Sequence, residues 1–307
     1  MVNHLNPRAR SKRQRLTLAD VLIYIALILL SLVCIYPLYQ IFVASISDPA
    51  VVASRNGLVL WPVGVHFDAY KIVLNNQNIL NGFRNTFFYM TLGTAFRYVV
   101  TALAAYPLSL RNAKLKRPLM LFMTFTMYFN GGLIPYYLLI NNLGLMNTPW
   151  VLIIPGGVSV WDIIIMRTQF QSLPDSLMDA AHIDGATAPC ILFSILLPLS
   201  KAVSAVLILF SVVGFWNMWF EPMIFLTQRS MYPLQSVLRE ILIDSNEHML
   251  AGSKSAVNIK LDPASMNNAK LLIKYANIIV CTVPILAIYP FAQKHFVKGV
   301  MIGSLKG

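Results

Sequence analysis

The chain has 307 residues, of which 57% are hydrophobic and only 12% are charged. Soluble globular domains carry about 25% charged residues, so this composition indicates a membrane protein. The formal net charge of +12 comes from basic residues in short tracts between apolar stretches. That arrangement is typical of charge flanking membrane spans and argues against nucleic acid as a partner.

Six apolar stretches reach the length of roughly 20 residues that a membrane-spanning helix requires. They occupy residues 21–46, 85–110, 118–140, 149–168, 202–226 and 273–293. The first stretch is longer than the roughly 7–15 residues of a signal-peptide core and lacks a small-x-small cleavage site, so we expect an uncleaved span. The sequence therefore predicts an all-α membrane protein with six transmembrane helices.

Basic residues mark one side of these spans. Lysine and arginine are concentrated in the tail 1–20, in the loop between spans two and three, and in the tail 294–307, whereas the loop between spans three and four is uncharged. Short cytoplasmic loops carry an excess of lysine and arginine, so we expect both termini in the cytosol. The six-span domain 21–293 then carries a cytosolic loop at 173–200 and an extracytoplasmic loop at 227–272.

Two charged side chains fall inside the predicted spans. Arg97 lies near the middle of span two, and Asp162 lies in the inner half of span four. Charges at membrane depth are costly and usually functional, so we expect the two side chains to form an ion pair across the helix bundle. Two alternatives stay open: Arg97 faces a water-filled path, or it reaches toward the interface along an off-centre helix.

A polar segment, DAAHIDGATAPCILFSILLP at 179–198, interrupts the apolar sequence between spans four and five. Just before it, Asp175 suits the first turn of a short helix, and Gly185 suits its end in a left-handed turn. Thr187 is the expected cap of a second helix, and Pro198 is expected to bend the apolar run that follows. The sequence therefore predicts a helix, a glycine turn, a second helix and a bent span.

Motifs for enzymatic chemistry are missing from the sequence. It contains no phosphate-binding GxxxxGKS or GxxxxGKT, no GxSxG or HExxH pattern, and no paired-carboxylate site. The three cysteines are far apart and the five histidines are isolated, so no metal-ligand spacing arises. We therefore expect a chain that is not an enzyme, with no catalytic residue, no metal site and no cofactor of its own.

The spacing within the polar segment resembles that of a known family. Asp179-Ala180-Ala181 is followed after three residues by Gly185 and after nine more by Ile195-x-Leu197-Pro198. This pattern resembles the EAA loop in permease subunits of binding-protein-dependent ABC importers, with Asp179 in place of the family's leading glutamate. The context Asp184-Gly185-Ala186 is similar to the carbohydrate branch, the maltose-type permeases. Further segments resemble the same branch: Leu60-Trp61-Pro62, Phe129–Pro135, Leu143-Gly144-Leu145, Leu199-Ser200-Lys201 and Trp216-Asn217.

This resemblance implies the type I permease fold of ABC importers, in the bacterial cytoplasmic membrane. It also implies that the polar loop forms a coupling helix, which docks on a cytosolic ATPase and transmits ATP-driven closure to the spans. The residues expected at this contact are Asp179, Ala180, Ala181, Asp184 and Gly185. ATP and Mg²⁺ would bind to the ATPase dimer. The other expected partners are a second homologous permease, an extracellular sugar-binding protein and membrane lipid.

A carbohydrate importer also needs a path for sugar through the membrane. Aromatic rings stack on the C–H faces of sugar rings, asparagine and glutamate bind hydroxyl groups, and a broken helix is tolerated where it lines a cavity. The residues expected along this path are Tyr128, Asn130, Trp216, Asn217, Trp219 and Glu221. The alternative is that the aromatic residues belong to the belts at the membrane interfaces.

The function predicted from these features is import of a carbohydrate, in particular an oligosaccharide, through the membrane subunit of an ATP-driven transporter. Two alternatives stay open. The first is a permease of the same superfamily for another solute, such as a peptide or an amino acid. The second is an ATP-independent channel or a membrane enzyme.

Overall fold

A computed structural model of the chain consists of helices joined by short turns. It describes residues 17–243 except 56 and 112, together with 268, 270–287 and 290. The helices are α1 Leu18–Ser45, α2 Pro49–Ser54, α3 Asp68–Leu74, α4 Gln77–Ser109, α5 Lys116–Tyr128, α6 Leu133–Asn142, α7 Trp150–Ile153, α8 Val160–Gln171, α9 Asp175–Ile183, α10 Ala188–Leu199, α11 Lys201–Trp216, α12 Phe220–Phe225, α13 Leu234–Ile243 and α14 Lys270–Ala287. Most of the tail 1–20, the tail 294–307 and the greater part of the loop 227–272 lie outside the described residues.

Within the described residues, three helices are long and apolar enough to cross a membrane, namely α1, α4 and α14. Two bent pairs raise this number to five if each pair is one span. These pairs are the segment Trp150–Gly157 with α8, at 44°, and α10 with α11, at 87°. The structure is therefore the all-helical membrane protein predicted from the sequence, with three to five candidate spans.

The stretch 118–140 is two helices rather than the one expected. α5 ends at Tyr128 and α6 begins after Gly132, whose φ is +84°. Pro135 lies in the first turn of α6, and its ring would clash with the carbonyl group four residues earlier if the helix continued through this point. The carboxamide oxygen of Asn130 accepts a hydrogen bond from the Gly132 amide at 3.1 Å, which satisfies one backbone group at the break.

The stretch 202–226 is also broken. α11 ends at Trp216, and α12 begins at Phe220. Pro222 follows Met218 by four residues, so a continuous helix would bring the proline ring against the Met218 carbonyl group. The apolar length of this stretch predicted a single helix, because hydropathy does not register the clash between the Pro222 ring and the Met218 carbonyl group.

The long helix α4 is the centre of the molecule, with α8, α11 and α13 packed along it. Near its start, the Thr86 hydroxyl accepts a hydrogen bond from the Leu234 amide at 2.8 Å. Further along, the Tyr98 hydroxyl donates to the Ser204 hydroxyl at 2.8 Å. These contacts hold α13 and α11 against the two halves of α4. The polar loop lies at the same end of the bundle as the C-terminal end of α4.

By contrast, α1 lies apart from this core. Only Val43, Ala44 and Ser45, at its end, are buried. Its first turn is closed by a capping box in which the Thr17 and Asp20 side chains each bind the other's backbone amide. A helix that is apolar on all sides and exposed in the single chain is expected to be covered by lipid or by another protein in the membrane.

Candidate coupling loop and membrane cavity

The loop between α8 and α11 adopts the helix, glycine turn and second helix that the sequence predicts. Gly185 follows α9 with φ of +74°, and the amide of Ala186 donates to the Ala181 carbonyl at 2.9 Å, which closes the helix end. A Cβ atom at Gly185 would meet no other atom within 4 Å. Glycine is therefore required by the backbone conformation and not by crowding.

The second helix, α10, differs in one respect from the prediction. Thr187 occupies its N-cap position, but its side chain makes no capping hydrogen bond. Before Pro198 the helix widens into a π-helical turn, Ile191–Leu196, which relieves the clash between a proline ring and the preceding turn. The bend of 87° therefore falls between α10 and α11, just after Pro198.

The inner side of α9 is attached to the rest of the chain. Ala181 is only 6% exposed and belongs to a buried cluster with Phe170 of α8 and Leu192 of α10. Arg111, in the turn that follows α4, forms an ion pair with Asp175 in the first turn of α9. Ala181, one of the residues expected at the ATPase contact, thus faces the chain's own core.

The outer side of α9, defined by Asp179, Ala180, Ile183 and Asp184, is exposed. Ile183 is 85% exposed although it is apolar. Sequence analysis missed Ile183 because apolar residues in an amphipathic helix are normally assigned to the core. The outer side of α9 therefore carries two carboxylates, Asp179 and Asp184, with a small and an apolar side chain between them in sequence.

A buried carboxylate and a partly buried guanidinium group meet between α4 and α8. The Arg97 Nε atom lies 2.6 Å from Asp162 Oδ2, and the side chains are 25% and 4% exposed, respectively. Asp162 lies in the first turn of α8, where the Ser159 hydroxyl accepts a hydrogen bond from its amide at 3.3 Å. A carboxylate is favoured at this position by the helix dipole. The structure thus brings together the two intramembrane charges as a nearly buried pair.

A cavity of about 540 Å³ lies beside this ion pair. Its lining includes Asn217, Trp219 and Glu221, which the sequence suggested for a sugar path, together with Arg97 and Tyr136. The break between α11 and α12 places these first three side chains at the cavity. The guanidinium carbon of Arg239 lies 3.7 Å from the centre of the Trp219 ring, which holds the indole by a cation–π contact.

Three other residues suggested for the sugar path do not line this cavity. Trp216 is fully buried, with its ring centre 6.4 Å and 6.1 Å from those of Phe83 and Phe87. Tyr128 is 80% exposed at the end of α5, and Asn130 lines a separate groove at the break before α6. Neighbouring residues of a helix point about 100° apart, so Trp216 packs on α4 while Asn217 reaches the cavity.

Known proteins define the class to which this helical membrane architecture belongs. A family model described as binding-protein-dependent transport system inner membrane component matches residues 91–302. The chain is 36% identical to the polygalacturonan/rhamnogalacturonan transport system permease protein YtcP of Bacillus subtilis, over 94% of this chain and 99% of that protein. It is 37% identical to Protein LplC of the same organism, over 90% of each chain.

A solved structure has the same fold. It is the crystal structure of a bacterial ABC transporter involved in the import of the acidic polysaccharide alginate, and one of its chains gives a TM-score of 0.82. The match has 29% identity and covers 92% of this chain and 99% of the other. The protein is therefore a multi-pass permease of the cytoplasmic membrane, and not an ATPase. The chain belongs to the family of inner membrane components of binding-protein-dependent transport systems.

Proposed function

We propose that the chain is the membrane subunit through which an ATP-driven importer translocates an oligosaccharide delivered by an extracellular binding protein. The observation that carries this proposal is the form of the polar loop. An exposed helix, α9, is fixed on its inner side to the core of the bundle and leads through α10 directly into the bent span α11. A force applied to α9 therefore reaches the wall of the cavity.

In this proposal the outer side of α9 docks on a cytosolic ATPase. Ile183, 85% exposed, enters an apolar hollow of the partner, and Ala180 lets the two surfaces approach closely. Asp179 and Asp184 form charged contacts at the edge of the interface. Gly185 holds the end of the helix, and Ala181 acts from inside by joining α9 to the core. ATP and Mg²⁺ are bound by the ATPase dimer and not by this chain.

The cavity is the proposed sugar path. Trp219 offers a ring face held by Arg239, and Asn217 and Glu221 offer groups that bind hydroxyls. The charge of Arg97 is compensated by Asp162 at 2.6 Å, so the pair stabilises the cavity wall without adding net charge. The relatives support a carbohydrate substrate, since YtcP is named for the transport of polygalacturonan/rhamnogalacturonan and the solved structure is of a transporter involved in the import of the acidic polysaccharide alginate.

The remaining parts of the proposal concern topology and assembly. The chain crosses the membrane six times with both termini in the cytosol, the broken helices α5 and α6 forming the third span. A second, homologous permease completes the pathway. The extracytoplasmic loops 47–83 and 227–272 contact the binding protein.

Uptake by the reconstituted transporter tests the function. The chain, a second permease, the ATPase and the binding protein from the same source are placed in liposomes, and uptake of labelled sugar oligomers is compared with that of peptides and amino acids. We expect ATP-dependent uptake of a sugar oligomer that requires the binding protein. Uptake of a peptide or amino acid instead would assign the chain to another branch of the superfamily, and conduction without ATPase would assign it to channels.

Cysteine labelling in intact cells tests the orientation. Because Cys34 and Cys190 are exposed, both are first replaced by serine. A cysteine introduced at Trp61 should react with a membrane-impermeant maleimide, and one at Ser176 of α9 should react only after the membrane is opened. The opposite pattern would place α9 outside the cell and remove the basis for its contact with an ATPase.

A further inference from the structure

Four cationic side chains surround a second cavity at the end of α4 that adjoins the polar loop. Lys114, Lys116, Arg117 and Arg167 line this space of about 450 Å³. The remaining lining is apolar or neutral, with Met120, Leu121 and Thr124 of α5 on one wall. None of the described lining residues is acidic, so four positive charges face this cavity without a negative one among them.

Part of this cluster is held by the end of α4. The Arg167 Nε atom donates to the Leu108 carbonyl at 3.0 Å, and the Lys116 Nζ atom donates to the Leu110 carbonyl at 3.5 Å. These bonds satisfy carbonyl groups that a helix end leaves without partners. Each bond uses one donor of its side chain, so Arg167 and Lys116 are positioned by the backbone and keep further N–H groups for a ligand.

The four cationic side chains of this cavity form no ion pair with a carboxylate in the described part of the chain. In that part of the structure, no carboxylate lies within ion-pair distance of Lys114, Lys116, Arg117 or Arg167, and the nearby Arg111 pairs with Asp175. The positive charges of Arg167 and Arg111 lie close enough to the Lys116 ammonium group to repel it. A bound anion would compensate this repulsion.

An apolar groove continues from the basic cavity. A further space of about 520 Å³ shares Ala113, Lys114 and Lys116 with it. The rest of this groove is apolar and is lined by Ala104, Pro107, Leu108, Leu115, Leu119 and Met123. Cations at one end and exposed aliphatic side chains along the other match an amphiphile with an anionic head and a hydrocarbon tail.

We infer that this site binds an anionic phospholipid, with its phosphate among Lys114, Lys116, Arg117 and Arg167 and an acyl chain along Leu119 and Met123. The placement of the site in the cytoplasmic leaflet rests on the proposed function, because that orientation puts the polar loop in the cytosol. Lys116 and Ala113 also line a third cavity with Asp175 and Asp179 of the coupling loop. The bound lipid therefore lies beside the base of α9 and stabilises the segment that holds it.

Lipid binding to the purified, delipidated importer tests this inference by native mass spectrometry. Phosphatidylglycerol is titrated against phosphatidylcholine, in which the positive choline group balances the negative phosphate, so that the headgroup has no net charge. The test variant is Lys114→Gln with Arg117→Gln, since these two side chains make no hydrogen bond in the described structure that the change would break. The matched control, Arg84→Gln with Lys201→Gln, also removes one arginine and one lysine, both exposed and outside the cavity.

We expect retained phosphatidylglycerol on the parent and on the control, and about tenfold weaker retention on the test variant. Equal retention on all three proteins, or equal retention of phosphatidylcholine by the parent, would overturn the inference. Displacement of the lipid by inorganic phosphate at similar concentration would show a site for free anions and also overturn it. The measurement needs neither sugar nor ATP, so its outcome is independent of transport and of docking by α9.

Discussion

Two aspartates, one in the helix bundle and one in the polar loop, have the same side chain in opposite environments. Asp162 is nearly buried in the bundle, 2.6 Å from Arg97, whereas Asp179 is exposed on the outer side of α9. A buried carboxylate without a partner is strongly destabilising, while an exposed one costs almost nothing. The bundle thus compensates its internal charge, whereas the carboxylate of Asp179 is open to solvent in the described structure.

The largest effect on stability should follow removal of the buried partner. Asp162→Ala leaves the Arg97 guanidinium uncompensated at membrane depth, and such losses cost about 3–5 kcal/mol. We expect a lower midpoint of thermal unfolding for the purified complex and less protein in the membrane. Asp179→Ala is the matched control and should leave the level of the protein in the membrane unchanged, because this carboxylate is exposed.

The double exchange Arg97→Asp with Asp162→Arg separates pairing from loss of a carboxylate. If the ion pair is what matters, the exchanged protein should recover a large part of the membrane level lost in each single variant. No recovery, together with a normal level for Asp162→Ala alone, would contradict the account of the buried pair.

Adjacent alanines of α9 should respond in different ways to the same substitution. Ala181 is packed against Phe170 and Leu192, so Ala181→Trp overpacks the core and should cost about 1–3 kcal/mol or more. Ala180→Trp adds its ring on the exposed side, so it should leave the unfolding midpoint unchanged and weaken copurification of the ATPase. Equal loss of stability in both variants would contradict the assignment of inner and outer sides.

The sequence was sufficient for the elements whose signals are local. A proline and an aspartate start α9, and Gly185 ends it because glycine enters a left-handed turn without strain. This pattern did not predict which of the two alanines, Ala180 or Ala181, faces the core. Ala180 and Ala181 are chemically identical, and only packing against α8 and α10 decides which of them is buried.

A smaller effect is expected at the turn itself. Gly185 has φ of +74° and open space around its missing Cβ, so Gly185→Val introduces backbone strain of about 1 kcal/mol or more without a clash. Gly185→Asn should cost less, because asparagine tolerates this conformation. Hydrogen exchange of the α9 amides should rise in the valine variant and stay lower in the asparagine variant, while amides of α4 are unaffected in both.

Prediction was weaker for the cavity, because its lining depends on contacts distant in sequence. Asn217 and Trp219 reach it, but Trp216 is buried against Phe83 and Phe87 of α4, more than a hundred residues away. Tyr136 joins the lining only because the chain breaks before α6. Periodicity identifies which residues could face a cavity, while the arrangement of the broken helices selects the ones that do.

The smallest effect on stability, and the most direct test of the central claim, is expected at Ile183 on the outer side of α9. Ile183 is 85% exposed, so Ile183→Asp should change the free energy of unfolding by less than about 0.5 kcal/mol. The decisive measurement is substrate-stimulated ATP hydrolysis by the reconstituted importer, compared among the parent, Ile183→Asp and the conservative Ile183→Leu. We predict that the aspartate variant inserts and folds normally but loses stimulation and transport, whereas the leucine variant retains both. Full stimulation and transport in Ile183→Asp would contradict the proposal that this surface couples the permease to its ATPase.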